Sequence, residues 1–335
     1  MGLATATAGL LGSAAIAQEV TLKLHQFLPP QATVPSKILD VWIADVEEAS
    51  GGRIEIEHYP AMQLGGAPPQ LMDQAIDGVA DIVWTVVGYT PGRFPRTEVF
   101  EMPFMMTDAR AASRAYWQMF EEHMKDTEFS DVEILGAWVH GPGMLHTNAP
   151  VTRPEDLEGM KIRGGSRTIN ALLEEVGATP VGMPVPAITE SLSKGVIDGT
   201  TIPWEVTTAL KVSELVDNHT EFEGPALYTL TFVLAMNKDA YAAMPEDLRA
   251  ILDEKSGEEF SVFAGGTMQD FDAPARELAE DNGNNIVTVS GDDLAAWQEA
   301  VAPIYESWIA DMESKGIDGQ ALIDQARALI DEYDG

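Results

Sequence analysis

Cysteine is absent from all 335 residues. That excludes disulfide frameworks, thiol catalysis, iron–sulfur clusters and cysteine-ligated zinc. Basic residues are scarce: 20 Lys and Arg stand against 54 Asp and Glu, a formal net charge of −34. A polyanion of that density repels phosphate backbones, so nucleic acid is excluded as a partner and anionic membrane surfaces are disfavoured. After the first residues no stretch reaches the ~18 unbroken apolar residues that a spanning helix needs. Catalytic signatures are missing too. There is no H-E-x-x-H helix, G-x-S-x-G elbow, Walker loop or G-x-G-x-x-G fingerprint. The six histidines (His25, His58, His123, His140, His146 and His219) are scattered without metal-ligand spacing. No enzyme is indicated, and no cofactor.

What is present is ordinary globular material. The hydrophobic fraction is 45%, and the length fits two domains with sizeable cores. Residues 1–17 carry no charge, and Ala15-Ile16-Ala17 precedes Gln18-Glu19 like a small-x-small cleavage site, although a basic n-region is missing. The segment reads as a signal-peptide-like leader and implies an exported, periplasmic protein.

From Val20 onward, period-two and helical patterns alternate. Strands are expected at Val20–His25, Arg53–Tyr59 and Asp81–Val87, with helices at Val34–Ser50 and Pro68–Asp77 between them. A second block repeats the grammar from Val132 to Ile202, and Leu227–Met236 reads as a long apolar strand. One long bent helix is expected over Pro245–Asp281, bending at Gly265 or Pro274, followed by a short strand and two acidic helices. This is α/β architecture with largely parallel sheets.

One cation stands out. Arg163 ends the apolar strand that begins at Met160, and Gly164-Gly165-Ser166 then leads into a helix. The carboxyl end of a strand beside a helix start is where α/β folds seat anions, and a guanidinium there can grip a carboxylate with two parallel bonds. In so acidic a chain an ordinary surface bridge is the equal alternative. Arg167, one turn on, is either an assistant or a solvent-facing helix charge.

Pro154-Glu155-Asp156-Leu157-Glu158-Gly159-Met160-Lys161-Ile162-Arg163 resembles the "PeDLkGlKiR" signature of solute-binding proteins of tripartite ATP-independent periplasmic (TRAP) transporters. Leu192–Gly199 resembles that family's "aLqqGvvDG" segment, and Phe232–Lys238 its strand into "mNkda". Gly51–Ile54, Gln63–Gly65 and Gly78–Ile82 resemble its N-terminal pattern. The likeness to this dicarboxylate-receptor (DctP-like) family runs in register from about Val20 to about Ile309. It implies a two-domain periplasmic-binding-protein (Venus-flytrap) fold with crossover strands and a long bent helix spanning both domains. Residues 18–140 with 236–272 are expected to form domain I, and 141–235 with 273–335 domain II. The resemblance also implies that Arg163 holds a substrate carboxylate. Small and large membrane permease subunits are the implied partners of a monomeric receptor.

Departures from the family pattern bear on the ligand. Where many sugar-acid and dicarboxylate binders carry a second Arg, this chain has Met144; where they commonly carry Asn, it has Ile202; where they have a Phe, it has Val185. A second carboxylate among such side chains would be desolvated without a partner. The expectation is one carboxylate on an apolar body, with Trp84, Tyr89 and Trp204 walling an aromatic ring. Phe27 and Trp138 are candidates for the same wall or for core, Tyr228 completes the set, and His25 or His140 is placed to donate to a ring hydroxyl. An aromatic acid such as hydroxybenzoate or phenylacetate is the expected ligand. The alternatives are a 2-oxo or 2-hydroxy acid or a dicarboxylate, with Glu205 as ligand if a cation assists, and, less favoured, a secreted enzyme.

Overall fold

The computed structural model describes residues 18–334. The leader over 1–17, and the export read from it, lie outside the described residues. Where the sequence alternates, strands form: in β1 (Val20–His25) Leu22 and Leu24 are buried while Thr21 and Lys23 face solvent. β2 (Ile54–Tyr59) alternates likewise, and β3 (Ile82–Val86) is buried along its whole length. The remaining strands are β4 (Val132–Val139), β5 (Met144–Thr147), β6 (Lys161–Gly164), β7 (Thr179–Gly182), β8 (Gly199–Ile202), β9 (Asn218–Phe222), β10 (Thr231–Asn237) and β11 (Asn285–Val289). They build a five-stranded sheet, β2-β1-β3-β10-β4, and a six-stranded sheet, β11-β9-β5-β8-β6-β7.

In the first sheet β1 pairs parallel with β2 and β3, whereas β10 is antiparallel to both β3 and β4. In the second, β5 is antiparallel to both β8 and β9, and the other pairings are parallel. Each sheet thus contains one reversed strand, and that strand has just arrived from the other sheet. β5 follows β4 through residues 140–143, and β10 follows β9 through residues 223–230. Helical crossovers supply the parallel remainder. The result is a two-domain α/β fold with crossover strands. Among the described residues no helix is long and apolar enough to cross a membrane.

Two expectations change here. The single helix over Pro245–Asp281 is three segments: Glu246–Glu254, Glu258–Asp270 and Asp272–Asp281. Gly257 separates the first two at φ +82°, a backbone conformation glycine adopts without the Cβ penalty. The bend falls at Phe271 rather than at Gly265 or Pro274, because Pro274 has no N–H for the Asp270 carbonyl and the ladder fails just before it. Gly265 serves close packing instead, since a Cβ there would stand 2.2 Å from Ser113 Oγ and 2.9 Å from the Ala109 carbonyl. Glu258–Asp270 packs on β4 and the helix Ala109–Met119, and Asp272–Asp281 packs on the helix Trp204–Leu210, so the bent pair spans both lobes.

The chain division differs as well. β10 runs unbroken across the boundary drawn at 235/236. The last helix, Gly319–Tyr333, packs on Ala109–Met119 of the first lobe, although the sequence division groups 273–335 with the second. Tyr333 Oη donates to Gln118 Oε1 at 2.6 Å and Gln325 Nε2 to Glu122 Oε2 at 2.6 Å. An amphipathic pattern reveals a buried face but not its partner.

The crossing at residues 140–143 lies tight under the bent helix. A Cβ on Gly141 would meet Asp272 Oδ2 at 2.3 Å and Gln269 Cα, a backbone atom, at 3.1 Å. Gly141→Ala is therefore expected to destabilise the protein by about 1–3 kcal/mol, as overpacking does. Differential scanning calorimetry reads this directly; an unchanged Tm would show that the contact is not tight.

Candidate functional site

β6 is exposed only at Lys161, so Arg163 lies inside the fold with no solvent exposure. Its Nε donates to the Met183 carbonyl at 2.9 Å and its Nη1 to the Thr201 carbonyl at 3.0 Å. Nη2 is buried without a hydrogen-bond partner, and among the described residues no carboxylate pairs with the guanidinium. The following glycines make room for it: a Cβ on Gly165 would come within 3.2 Å of both Nη1 and Nη2. Ser166 then caps the helix Arg167–Glu175, its Oγ accepting from the Ile169 N–H at 3.3 Å.

Arg163 borders a narrow cavity between the lobes, tightly filled by its own lining side chains. Phe27, Trp84, Val185, Ile202, His140, Tyr228 and Glu205, all candidates from the sequence, line it. Phe27 stacks on Trp84 (centroids 4.6 Å apart, planes at 16°), and Trp84 stacks on Phe232 (5.4 Å, 16°). The wall is a run of near-parallel rings drawn from the end of β1, from β3 and from β10. Trp84 Nε1 and the Tyr228 hydroxyl are buried without partners. Every side chain lining the cavity is buried.

Other candidates fall elsewhere. Tyr89 stands behind the wall, edge-on to Phe27, and its hydroxyl accepts the Val185 N–H at 2.9 Å. Burial raises its pKa, and the nearby Arg163 charge opposes the rise. Trp138 is core, stacked 6.5 Å behind Trp84 at 7°. Trp204 and Met144 do not reach the cavity. Trp204 Nε1 donates to Glu221 Oε1 at 2.8 Å, and with Met144 it borders a different hollow beside Asp272 and Arg276. Of the three apolar candidates, Ile202 and Val185 line the cavity, whereas Met144, paired to Ile202 in the strand register, borders the other hollow.

Neither histidine is free to meet a ring hydroxyl. His25 lies outside the cavity; its Nε2 accepts the Leu64 N–H at 3.2 Å, which leaves Nδ1–H to donate to Gln74 Oε1 at 2.6 Å. His140 Nε2 accepts the Leu230 N–H at 3.1 Å, so Nδ1–H donates to the Gly141 carbonyl at 2.5 Å. Burial pushes His140 down to about 4, with the Arg163 charge adding to the effect, so the ring is neutral at pH 7. It ties the two interlobe crossings together.

Arg167 does not assist Arg163. Its Nη2 donates to Glu98 Oε2 at 2.6 Å and to Asp311 Oδ2 at 2.8 Å, while Trp308 Nε1 donates to the same Glu98 oxygen at 3.1 Å. This cluster clasps the lobes at another edge. Leu28, Val86, Pro203, Val206, Leu230, Phe232 and Met268 also line the cavity and were not among the sequence candidates. Period-two spacing along the chain places Leu230 and Phe232 on one face, a usable signal. Met268 arrives from the bent helix and leaves no such trace.

Two buried carboxyls border the lobe junction. Burial pushes Glu205 up to about 7, opposed by a hydrogen bond from Thr33, and its Oε2 has no partner. Glu101 is pushed up to about 7, again chiefly by burial, with the Ser166 hydroxyl opposing. Its Oε1 accepts from the Thr231 N–H at 3.3 Å and the Thr231 hydroxyl at 3.0 Å. Among the described residues no group of three or more His, Asp or Glu is placed to hold a metal ion, so Glu205 has no set of co-ligands.

The family model for bacterial extracellular solute-binding proteins, family 7 (DctP), matches residues 26–311. A TRAP solute-binding protein from Rhodoferax ferrireducens, solved with copurified benzoate, is 48% identical with a TM-score of 0.92, covering 94% of this chain and 98% of that one. A marine metagenome TRAP solute-binding protein specific for aromatic acid ligands, solved with 3-hydroxybenzoate, is 43% identical with a TM-score of 0.93, covering 95% and 100%. A Bordetella bronchiseptica TRAP protein with bound mandelate is 31% identical with a TM-score of 0.86, covering 93% and 99%.

Glu101 gives a pH signature. Its folded pKa lies above the unfolded value, so the native state binds the proton more tightly, and that stability is full below about pH 4.5 and lost as pH rises to about 7. Glu101→Gln should therefore match the wild type near pH 4 and exceed it in Tm at pH 8. Thermal melts across that range test this; a constant Tm difference would show that Glu101 does not titrate there.

Proposed function

The chain belongs to family 7 of the bacterial extracellular solute-binding proteins, and from that premise we propose that this TRAP solute receptor captures an aromatic monocarboxylate and hands it to a membrane permease. The family consists of extracytoplasmic binding proteins rather than enzymes. The receptor works as an exported monomer, delivering its ligand to the small and large permease subunits.

The observation that carries the ligand class is Arg163: a guanidinium without exposure or a carboxylate partner, with a free Nη2, on a cavity walled by Phe27, Trp84 and Phe232. Leaving such a charge uncompensated is costly, and a ligand carboxylate removes that cost. Flat rings in the wall offer offset stacking worth about 0.5–1.5 kcal/mol per pair beyond burial. The Rhodoferax, metagenome and Bordetella proteins hold benzoate, 3-hydroxybenzoate and mandelate, each a single carboxylate on an aromatic body.

Charge on the lining favours one carboxylate over two. Besides Arg163, the ionisable groups are Glu205, the neutral His140 and Tyr228, whose pKa burial raises. A second ligand carboxylate would meet Glu205 or the apolar Ile202 and Val185, not a cation. Arg163→Met should weaken benzoate or hydroxybenzoate binding by about 2–5 kcal/mol, roughly 30- to 5,000-fold. Succinate should fail to compete. Calorimetry on folded wild type and variant decides the matter: unchanged affinity in Arg163→Met, or succinate binding more tightly than the aromatic acids, overturns the proposal.

A further inference from the structure

The cavity holds a carboxyl group that the carboxylate grip does not use. Glu205 opens into it from the first turn of the helix Trp204–Leu210, and the side chain is almost wholly buried. Its amide N–H is held by Asp272 Oδ1 at 2.8 Å, which fixes the backbone at the helix start. Its Oε2 has no hydrogen-bond partner. Arg163 does not satisfy it, because the guanidinium is spent on the Met183 and Thr201 carbonyls and keeps its own unpartnered nitrogen. Four lining residues thus carry unpartnered polar atoms, Arg163, Glu205, Trp84 and Tyr228; among them Glu205 alone is a carboxyl group, and it does not pair with Arg163.

We propose that Glu205 is the specificity-determining residue of this site and selects aromatic acids bearing a ring hydroxyl, which it hydrogen-bonds while Arg163 holds the carboxylate. The inference rests on the aromatic-acid reading of the cavity and names the substrate subclass. A buried polar atom left unpaired costs about 1–3 kcal/mol, so an unsubstituted ring against Glu205 is penalised and a hydroxyl relieves the penalty. Sites built to bond a substrate hydroxyl discriminate strongly against analogues that lack it. A phenolic hydroxyl also suits Glu205 in either protonation state, donating to the carboxylate or accepting from the neutral acid. An ammonium substituent suits only the ionised form, which burial disfavours. The position of the hydroxyl matters: in 2-hydroxybenzoate it lies beside its own carboxylate and bonds to it, so it cannot serve a group that does not touch Arg163.

Calorimetry with benzoate and with 2-, 3- and 4-hydroxybenzoate, on wild type, Glu205→Leu and Glu205→Gln, tests this. In the wild type the 3- or 4-isomer should bind at least about tenfold more tightly than benzoate, and the 2-isomer should gain nothing. Glu205→Leu should bring the ratio of hydroxybenzoate to benzoate affinity close to one. Glu205→Gln, which keeps shape and hydrogen-bonding capacity, should retain part of the preference and stands in if the leucine variant does not fold. Equal wild-type affinity for benzoate and all three isomers overturns the inference and leaves the aromatic-acid reading standing. So does an equal loss of every ligand in Glu205→Leu, which would mark Glu205 as structural. Failure of all four acids to bind the folded wild type overturns both.

Discussion

A buried guanidinium without a counter-ion is the constraint on which the rest of this structure turns. Arg163 is held by two backbone carbonyls, from Met183 and Thr201, on segments next to β7 and in β8. Carbonyl dipoles orient the cation but do not neutralise it. Gly165 must stay small beside it, and Tyr89 and His140 must be neutral neighbours rather than competing charges. The second lobe builds the cation's bed, and the first lobe contributes the ring wall that closes over it.

Acidity elsewhere sharpens the contrast. Most arginines here are tied to carboxylates: Arg53 to Glu19 and Asp247, Arg153 to Glu155 and Asp293, Arg276 to Glu221 and Glu280. Such partly exposed pairs contribute little each. They show what an ordinary bridge looks like in this chain, and Arg163 differs by being enclosed and unpaired. Screening over ~8 Å at physiological salt separates the anionic surface from the site.

Much of the fold was legible because it follows local periodicity. The strand at Val20–His25 and the helix after Ser166 stand where alternation and capping place them. What periodicity cannot convey is partner choice, so the return of Gly319–Tyr333 to the first lobe and the reversed pairing of β10 had no local signal. The site divides the same way. Arg163 was marked by its strand end, its glycines and the family likeness. Trp204 and Glu205 are adjacent in sequence, yet only the glutamate turns into the cavity; successive residues of a helix project about 100° apart, and which one faces inward depends on how the helix docks. Phe232 and Met268 became wall residues only when a crossover strand and a bent helix met.

The buried lining has a kinetic consequence. With every wall residue buried, a molecule enters or leaves the cavity only as lining side chains or the lobes themselves shift. Where such a shift is slow, it and not the strength of any one contact limits how fast a ligand is released. The Glu98–Arg167–Asp311 cluster joins segments of the two lobes without lining the cavity, so it bears on their parting and not on the ligand itself.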